Sequence, residues 1–130
     1  MQMKEVALED EYEIIKPDMP VPNAAGLFAE NPHIALLIGH GSGKIAGALY
    51  IDDIHKAYAD TTKKGKNVHK STVKGIMNPN VLAVSQEADV AELMAQVKLH
   101  KPHAIVLHNS QGKFSGYIGT KAFKQAMASM

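Results

Sequence analysis

The stretch Ile34–Ile54, IALLIGHGSGKIAGALYIDDI, predicts two strands joined by a tight turn and followed by the start of a helix. Its four consecutive apolar residues, 35 to 38, are typical of a strand that is buried on both faces. Three glycines then allow the positive φ angles that a reversal needs (Gly39, Gly41, Gly43). After a second extended run, Asp52 or Asp53 is expected to cap the helix that follows.

A second copy of this pattern lies 69 residues further along the chain. At that offset Gly43-Lys44 falls on Gly112-Lys113, IALLI is answered by HAIVL, and no gap is needed from residue 13 to residue 129. Apolar residues at helical spacing also recur at matching places, from Val21 in the first copy and from Val90 in the second. This agreement predicts two copies of one βαββα unit.

The repeat divides the chain into residues 1–60, a polar linker at 61–72 and residues 73–130. Four lysines fall in the linker (Lys63, Lys64, Lys66, Lys70). A charge run of this kind favours a solvated connection, with a phosphate-attracting arm as the alternative.

Length and composition exclude several classes of protein. A chain of 130 residues can bury about two thirds of its unfolded surface, so it needs neither disulfides nor a metal to fold. The absence of cysteine excludes thiol catalysis, zinc–thiolate sites and iron–sulfur clusters, and suits a reducing compartment. No apolar run approaches the roughly 20 residues of a membrane span, and the acidic N-terminus has no signal-peptide core. We therefore expect a cytoplasmic protein without a membrane anchor.

Charge is distributed unevenly along the chain. Residues 1–60 carry 10 acidic side chains and 4 lysines, a net charge of −6, whereas residues 61–130 carry 3 acidic side chains and 10 lysines, a net charge of +7. All 14 basic residues are lysine and only 5% of residues are aromatic, which argues against nucleic-acid binding. The opposed charges favour docking of one half on the other, within a chain or between two chains, although the linker lysines alone account for much of the excess.

The second copy resembles the CBS domain, named for cystathionine beta-synthase. The resemblance lies in the stretches VKGIMNPNVLAVSQEADVAELMAQV and HAIVLHNSQGKFSGYIG. The family pattern is V-x-x-I-M-x-P, a strand, a helix that opens with acid-x-V, and a strand pair split by a G-K turn. The matching residues are Val73, Ile76, Met77, Pro79, Asp89, Val90, Gly112, Lys113 and Gly116. Because the first copy follows the same pattern from Val21 onward, the chain resembles a tandem CBS pair, or Bateman module.

The resemblance implies an α/β fold in which two βαββα repeats, related by pseudo-twofold symmetry, pack into one compact module with two clefts. Such clefts commonly bind AMP, ADP, ATP or S-adenosylmethionine, and such modules usually form homodimers. The expected function is therefore a non-catalytic regulatory module that requires no cofactor and acts through its own dimer or an unknown protein effector. The alternative is a structural or dimerisation module whose clefts are empty.

The family carries a G-h-h-[ST]-x-x-D motif after its last strand, in which the acid binds ribose hydroxyls. In the first copy Asp53 holds the acidic place and Tyr50 replaces Ser/Thr. In the second copy the acid is lost to Ala122, and Thr120 lies one place late. For Asp53, ribose binding and plain helix capping both remain open, whereas Thr120 is interpreted chiefly as a cap.

Other cleft positions follow from the same alignment. They are Ile15, Lys16, Pro17, His33, Ile34 and Ala35 in the first copy and Val84, Ser85, Pro102, His103 and Ala104 in the second. Their backbone and apolar side chains are expected to sandwich an adenine ring, with His33, Lys16, Lys101 or His103 paired to phosphates. Strand-end packing is the alternative role for most of them.

Three catalytic or metal-binding interpretations fail. The turn GHGSGK is one residue short of a P-loop, and Ile45 stands where Ser or Thr would bind magnesium. Pro102 separates His100 from His103, so the two rings need not share a helix face and no metal site is predicted. Ser42 beside His40 lacks an orienting acid, so no hydrolase is predicted.

Overall fold

The computed structural model describes residues 1–64 and 68–130, with side chains described outside 61–67, and in that part of the chain it has six strands and four α-helices. The strands are β1 (Tyr12–Ile15), β2 (Ala35–Gly39), β3 (Ile45–Leu49), β4 (Val81–Ser85), β5 (Ala104–His108) and β6 (Phe114–Ile118). The helices are α1 (Val21–Glu30), α2 (Ile51–Lys64), α3 (Val90–His100) and α4 (Thr120–Ala128). The strands form two sheets, in the orders β1-β2-β3 and β4-β5-β6.

The pairing within the two sheets is the same at the predicted offset. β1 lies parallel to β2 with Tyr12 opposite Ala35, and β4 lies parallel to β5 with Val81 opposite Ala104. The antiparallel pairs β2–β3 and β5–β6 even share an irregularity, which follows Ile38 in one and Leu107 in the other. The prediction of two βαββα repeats is confirmed.

The glycine-rich turn is a hairpin between β2 and β3. In each repeat the residue before the turn donates its N–H to the carbonyl of the lysine after it, at 2.8 Å in the first (His40–Lys44) and 2.9 Å in the second (Asn109–Lys113). Gly41 and Gly43 take positive φ angles of 68° and 80°, which an L side chain rarely adopts. A strand rather than a helix follows the turn, so these glycines do not build a P-loop.

The faces of each sheet pack on different partners. Leu36 and Ile38 point into the core shared with α1 and α2, whereas Ala35 and Leu37 point into a cluster that contains β5 and β6 residues. Because side chains alternate across a strand, four consecutive apolar residues of β2 are all buried. The two sheets therefore meet face to face, and the helices cover their other faces.

Each repeat completes its core with the segment that precedes the other repeat. In the N-terminal segment (residues 1–10), Met3 is fully buried in the core of the second repeat and donates its N–H to the carbonyl of Ala88 at 2.8 Å. In the connecting segment (residues 68–79), Val73 is fully buried in the core of the first repeat and donates its N–H to the carbonyl of Met19 at 2.9 Å. Neither repeat has a complete core without the other.

The predicted linker differs from the structure at both of its ends. α2 continues to Lys64, beyond the expected helix end near residue 60. Val68 is buried in the core of the first repeat, so this part of the linker is structural rather than solvated. Lys70 is exposed. Lys66 and the side chains of Lys63 and Lys64 lie outside the described part of the chain, so the proposed phosphate-attracting arm stays a prediction.

Candidate functional site

Asp53 lies in the first turn of α2, where the chain leaves β3. The N–H of Tyr50, the residue just before the helix, donates to Asp53 Oδ2 at 2.7 Å. A carboxylate at this place also interacts favourably with the positive end of the helix dipole. The capping interpretation of Asp53 is confirmed, and its contact with a ligand stays a prediction.

The same oxygen of Asp53 also joins the two repeats through His103. His103 Nε2 lies 2.7 Å from Asp53 Oδ2, and the two side chains are 28% and 15% exposed. The Tyr50 ring packs edge-on against the His103 ring, with centroids 5.0 Å apart. Sequence reasoning selected all three residues, but it did not predict the contacts between them because they lie in different repeats.

A pair of tyrosines completes this cluster. Tyr50 OH and Tyr117 OH are 2.9 Å apart. Burial raises the pKa of the Tyr117 phenol, and its hydrogen bond to Tyr50 and the charge of Asp10 raise it further. Burial also raises the pKa of Tyr50, against the lowering effect of the same hydrogen bond. Both hydroxyls therefore stay neutral and serve as hydrogen-bonding groups.

Sequence reasoning missed Tyr117 as a member of the cluster. The available signal was its position in the repeat, since the first copy has Ala48 at the equivalent place. A tyrosine in place of a small residue on an inward face has a hydroxyl that needs a partner.

Two cavities adjoin the Asp53–His103 pair. One, of about 600 Å³, lies between α2 and the connecting segment, and Asp53 borders it together with Lys56 and Met77. The other, of about 370 Å³, is bordered by Tyr50, His103, Ala104, Tyr117, Thr120 and Phe123. We call the region formed by residues 50–53, 77–79 and 102–104 cleft 1. Four predicted site residues lie in it or at its edge: Tyr50, Asp53, His103 and Ala104.

The equivalent place in the second repeat is capped by a residue from the N-terminal segment. α4 begins at Thr120, with Gly119 in the N-cap position. Asp10 accepts hydrogen bonds from the N–H of Lys121 to Oδ1 at 3.1 Å and from the N–H of Ala122 to Oδ2 at 3.0 Å. The interpretation of Thr120 as the cap is therefore wrong, because Asp10 caps this helix. We call the region formed by Asp10, residues 119–122 and residues 33–35 cleft 2.

A family model for the CBS domain matches the chain twice, at residues 4–60 and 73–129. The two matches together span most of the chain and have the spacing of the structural repeat. The chain belongs to the CBS domain family. The predicted tandem CBS pair is thereby confirmed.

Several solved structures share the fold of this CBS pair. CBSX2 in complex with AMP is 15% identical with a TM-score of 0.72, over 98% of this chain and 96% of that chain. The CBS domain of the bacterial CNNM/CorC family Mg²⁺ transporter in complex with ATP is 17% identical with a TM-score of 0.77, over 98% and 87%. A hemolysin-like protein containing a CBS domain from Oenococcus oeni PSU is 17% identical with a TM-score of 0.76, over 97% and 89%. No curated protein matches the sequence.

The other predicted site residues of the CBS pair are split between opposite ends of the first sheet. Since β1 and β2 are parallel, Tyr12 lies opposite Ala35 and Ile15 lies opposite Ile38. Residues 15–17 therefore lie at the far end from residues 33–35. Ile15, Lys16 and Pro17 instead border a separate cavity of about 800 Å³ beside the glycine-rich turn. The structure does not bring these two groups into one cleft.

Val84 is placed like Ile15, in the second sheet. It pairs with Leu107 near the far end of β4, whereas Ala104 pairs with Val81 at the near end. Val84 is buried in the core of the second repeat, so packing accounts for its apolar side chain. His33 and Ile34, by contrast, lie just before β2, and the N–H of His33 donates to Asn31 Oδ1 at 3.2 Å.

Residues 1–64 and 68–130 lack the features of two other kinds of site. This part of the chain contains no group of three or more His, Asp or Glu side chains that could hold a metal ion. It also contains no helix with the length and apolarity that crossing a bilayer requires.

Proposed function

We propose that this CBS pair is a regulatory module that binds an adenosine-containing ligand in cleft 1, such as AMP, ADP, ATP or S-adenosylmethionine. The observation that carries the proposal is the position of the Asp53 carboxylate, at a helix N-terminus, beside an open cavity and within reach of the other repeat. The AMP in the CBSX2 structure and the ATP in the CNNM/CorC structure support this class of ligand.

Asp53 is the proposed acceptor for the ribose hydroxyls. An ionised carboxylate has two oxygens and accepts several hydrogen bonds, and hydrogen bonds to a charged acceptor are the stronger kind. In the described part of the chain both contacts of Asp53 use Oδ2, which leaves Oδ1 for a ligand.

The phosphates of the ligand are proposed to lie at the N-terminus of α2. The first N–H groups of a helix have no partner within the helix and attract anions. No carboxylate among the described residues bonds to the N–H of Ile51 or Asp52. Lys56, which lines the larger cavity, adds positive charge nearby.

The adenine is proposed to pack on the aromatic and apolar surface of the smaller cavity. At its end in cleft 1, the Tyr50 ring and the side chains of Pro102 and Ala104 line it. An aromatic ring stabilises a flat heterocycle by stacking in addition to burying its surface. In this proposal Tyr50 stacks on the adenine from the position at which the family motif has Ser or Thr.

A ligand in cleft 1 would touch both repeats, since Asp53 belongs to the first and His103 to the second. Binding of this kind shifts the module towards the arrangement of repeats that makes both contacts. We propose that this shift is the regulatory output, passed on in the cytoplasm through a homodimer or through a protein effector. No catalytic step and no cofactor are part of the proposal.

Isothermal titration calorimetry with AMP, ATP and S-adenosylmethionine tests the proposal. We expect saturable binding of at least one of them, and at least a tenfold weaker affinity for Asp53→Ala, which loses charge-assisted hydrogen bonds of about 1.5–3 kcal/mol. Glu92→Ala is the matched control, because Glu92 holds the same third helical position in α3, is exposed and lies outside the clefts. The absence of binding heat with all three ligands at millimolar concentration would contradict the proposal.

A structural or dimerisation module is the second candidate. The observation in its favour is that Asp53 already has a partner in His103 without a ligand. Light scattering after size-exclusion chromatography, with and without ATP, distinguishes the two candidates. The structural candidate predicts a dimer whose mass and thermal stability are the same with and without nucleotide.

A further inference from the structure

Asp10 occupies the place in cleft 2 where a ligand would meet the N-terminus of α4. Its two carboxylate oxygens accept one hydrogen bond each, from the N–H of Lys121 at 3.1 Å and from the N–H of Ala122 at 3.0 Å. These are the second and third residues of α4, whose N–H groups have no partner inside the helix. Asp10 therefore holds, with its own negative charge, the groups that an anion at this helix would bind.

Gly119 makes room for this contact. A Cβ built on Gly119 would overlap the side chain of Asp10, so the carboxylate lies where any other residue would have its side chain. Gly119 is the N-cap residue of α4, so the carboxylate of Asp10 lies directly at the N-terminus of this helix. Asp10 therefore occupies the space beside Gly119 that a phosphate at the N-terminus of α4 would need.

Among the described residues, the first repeat has no such contact. The residue equivalent to Asp10 at the 69-residue offset is Pro79, which has no side-chain acceptor. The residues equivalent to Gly119 and Ala122 are Tyr50 and Asp53. Cleft 1 consequently leaves the N–H groups of its helix open, whereas cleft 2 has them bonded.

We propose that Asp10 is an internal competitor that closes cleft 2, so that each chain takes up one anionic adenosine ligand, in cleft 1. This inference rests on the proposed function of cleft 1 and adds the number of ligands and the residue that sets it. The competitor is covalently tethered, so it is present at α4 at an effective concentration on the order of millimolar whatever the concentration of the nucleotide. Its negative charge also repels a phosphate that approaches the same helix end.

Calorimetric titration of the full chain with ATP tests the inference through the number of ATP molecules bound per chain. We expect one for the wild type and two for Asp10→Ala, in which the α4 N-terminus is released. Glu9→Ala is the matched control, since it removes the same charge from the adjacent, exposed position and is expected to bind one. Gly119→Ala is also expected to bind two ATP molecules per chain, because its Cβ displaces Asp10 without changing any charge. This variant replaces Asp10→Ala in the test if Asp10→Ala does not fold.

The outcomes separate this inference from the proposed function. The role of Asp10 would be overturned if both Asp10→Ala and Gly119→Ala bound one ATP per chain, or if the wild type bound two. Either result would leave ligand binding in cleft 1 as proposed. No site in the wild type with one site in Asp10→Ala would support the role of Asp10 and contradict ligand binding in cleft 1. No site in the wild type or in either variant would contradict both.

Discussion

The N-termini of α2 and α4 hold equivalent places in the two repeats, yet different parts of the chain cap them. In α2 the cap is Asp53, which belongs to the helix itself and also reaches His103 in the other repeat. In α4 the cap is Asp10, which comes from the N-terminal segment. Asp53 accepts the N–H of Tyr50, just before α2, and no carboxylate among the described residues bonds to the N–H of Ile51 or Asp52. Asp10, by contrast, accepts the N–H groups of the second and third residues of α4. We propose that this difference decides which helix end can receive a ligand.

The largest effect on stability is expected from Asp53→Ala. This change removes the cap of Tyr50 and leaves the half-buried His103 without its carboxylate, at a combined cost of about 2 kcal/mol. Urea denaturation at pH 7 measures it, with Glu92→Ala, in the same helical position of α3, expected to stay within about 0.5 kcal/mol of the wild type. An equal loss in the two variants would mean that the α2 cap has no special role.

A smaller effect is expected at α4, where the cap can be moved from one part of the chain to another. Asp10→Ala loses two hydrogen bonds at the end of the helix and is expected to cost about 1 kcal/mol. Ala122→Asp in the Asp10→Ala background restores an acid at the position that Asp53 holds in α2 and should recover most of this loss. Chemical denaturation of the two variants measures both steps. If the double variant were no more stable than Asp10→Ala, the equivalence of the two helix ends would fail.

The smallest effect at neutral pH, under about 1 kcal/mol, is expected from Tyr117→Phe, which removes one partner of the hydroxyl pair between the sheets. Its clearer consequence lies at alkaline pH. Burial raises the pKa of Tyr117, so the folded chain keeps a proton that the unfolded chain releases above about pH 10. The contribution of Tyr117 to the free energy of unfolding is therefore fully present below about pH 10 and is lost as the pH rises further. Denaturation measured between pH 8 and 11 should therefore show that the free energy of unfolding falls less steeply with pH in Tyr117→Phe than in the wild type. The same slope in both proteins would contradict this role.

The fold follows from the sequence because local pattern and repeat agree at every element. The apolar run 35–38, the glycine turn and the constant offset of 69 residues fix the strands and helices to within a few residues. The sequence does not show in the same way that the N-terminal segment completes the core of the second repeat and the connecting segment that of the first. Met3 and Val73 lie in short segments, MQMKEVAL and STVKGIM, whose local pattern does not show which of the two similar cores each segment completes.

The candidate site is predictable only in part. The motif after β3 led to Tyr50 and Asp53, and the alignment led to His103. Transfer of cleft positions by alignment also grouped Ile15 with Ala35, although a parallel strand pair places the end of one strand far from the start of the next. Asp10 has no sequence signal at all, because it is one acid among several in an acidic segment, and its role depends on the missing side chain of Gly119.

The difference between the two helix ends is tested most directly by the backbone amide signals of the full chain during an ATP titration followed by nuclear magnetic resonance. The account predicts that the amides of Ile51 and Asp52 shift in a saturable way, while those of Lys121 and Ala122 keep their positions because Asp10 holds them. Shifts at Lys121 and Ala122 in the wild type, or an absence of shifts at Ile51 and Asp52 under saturating ATP, would contradict it.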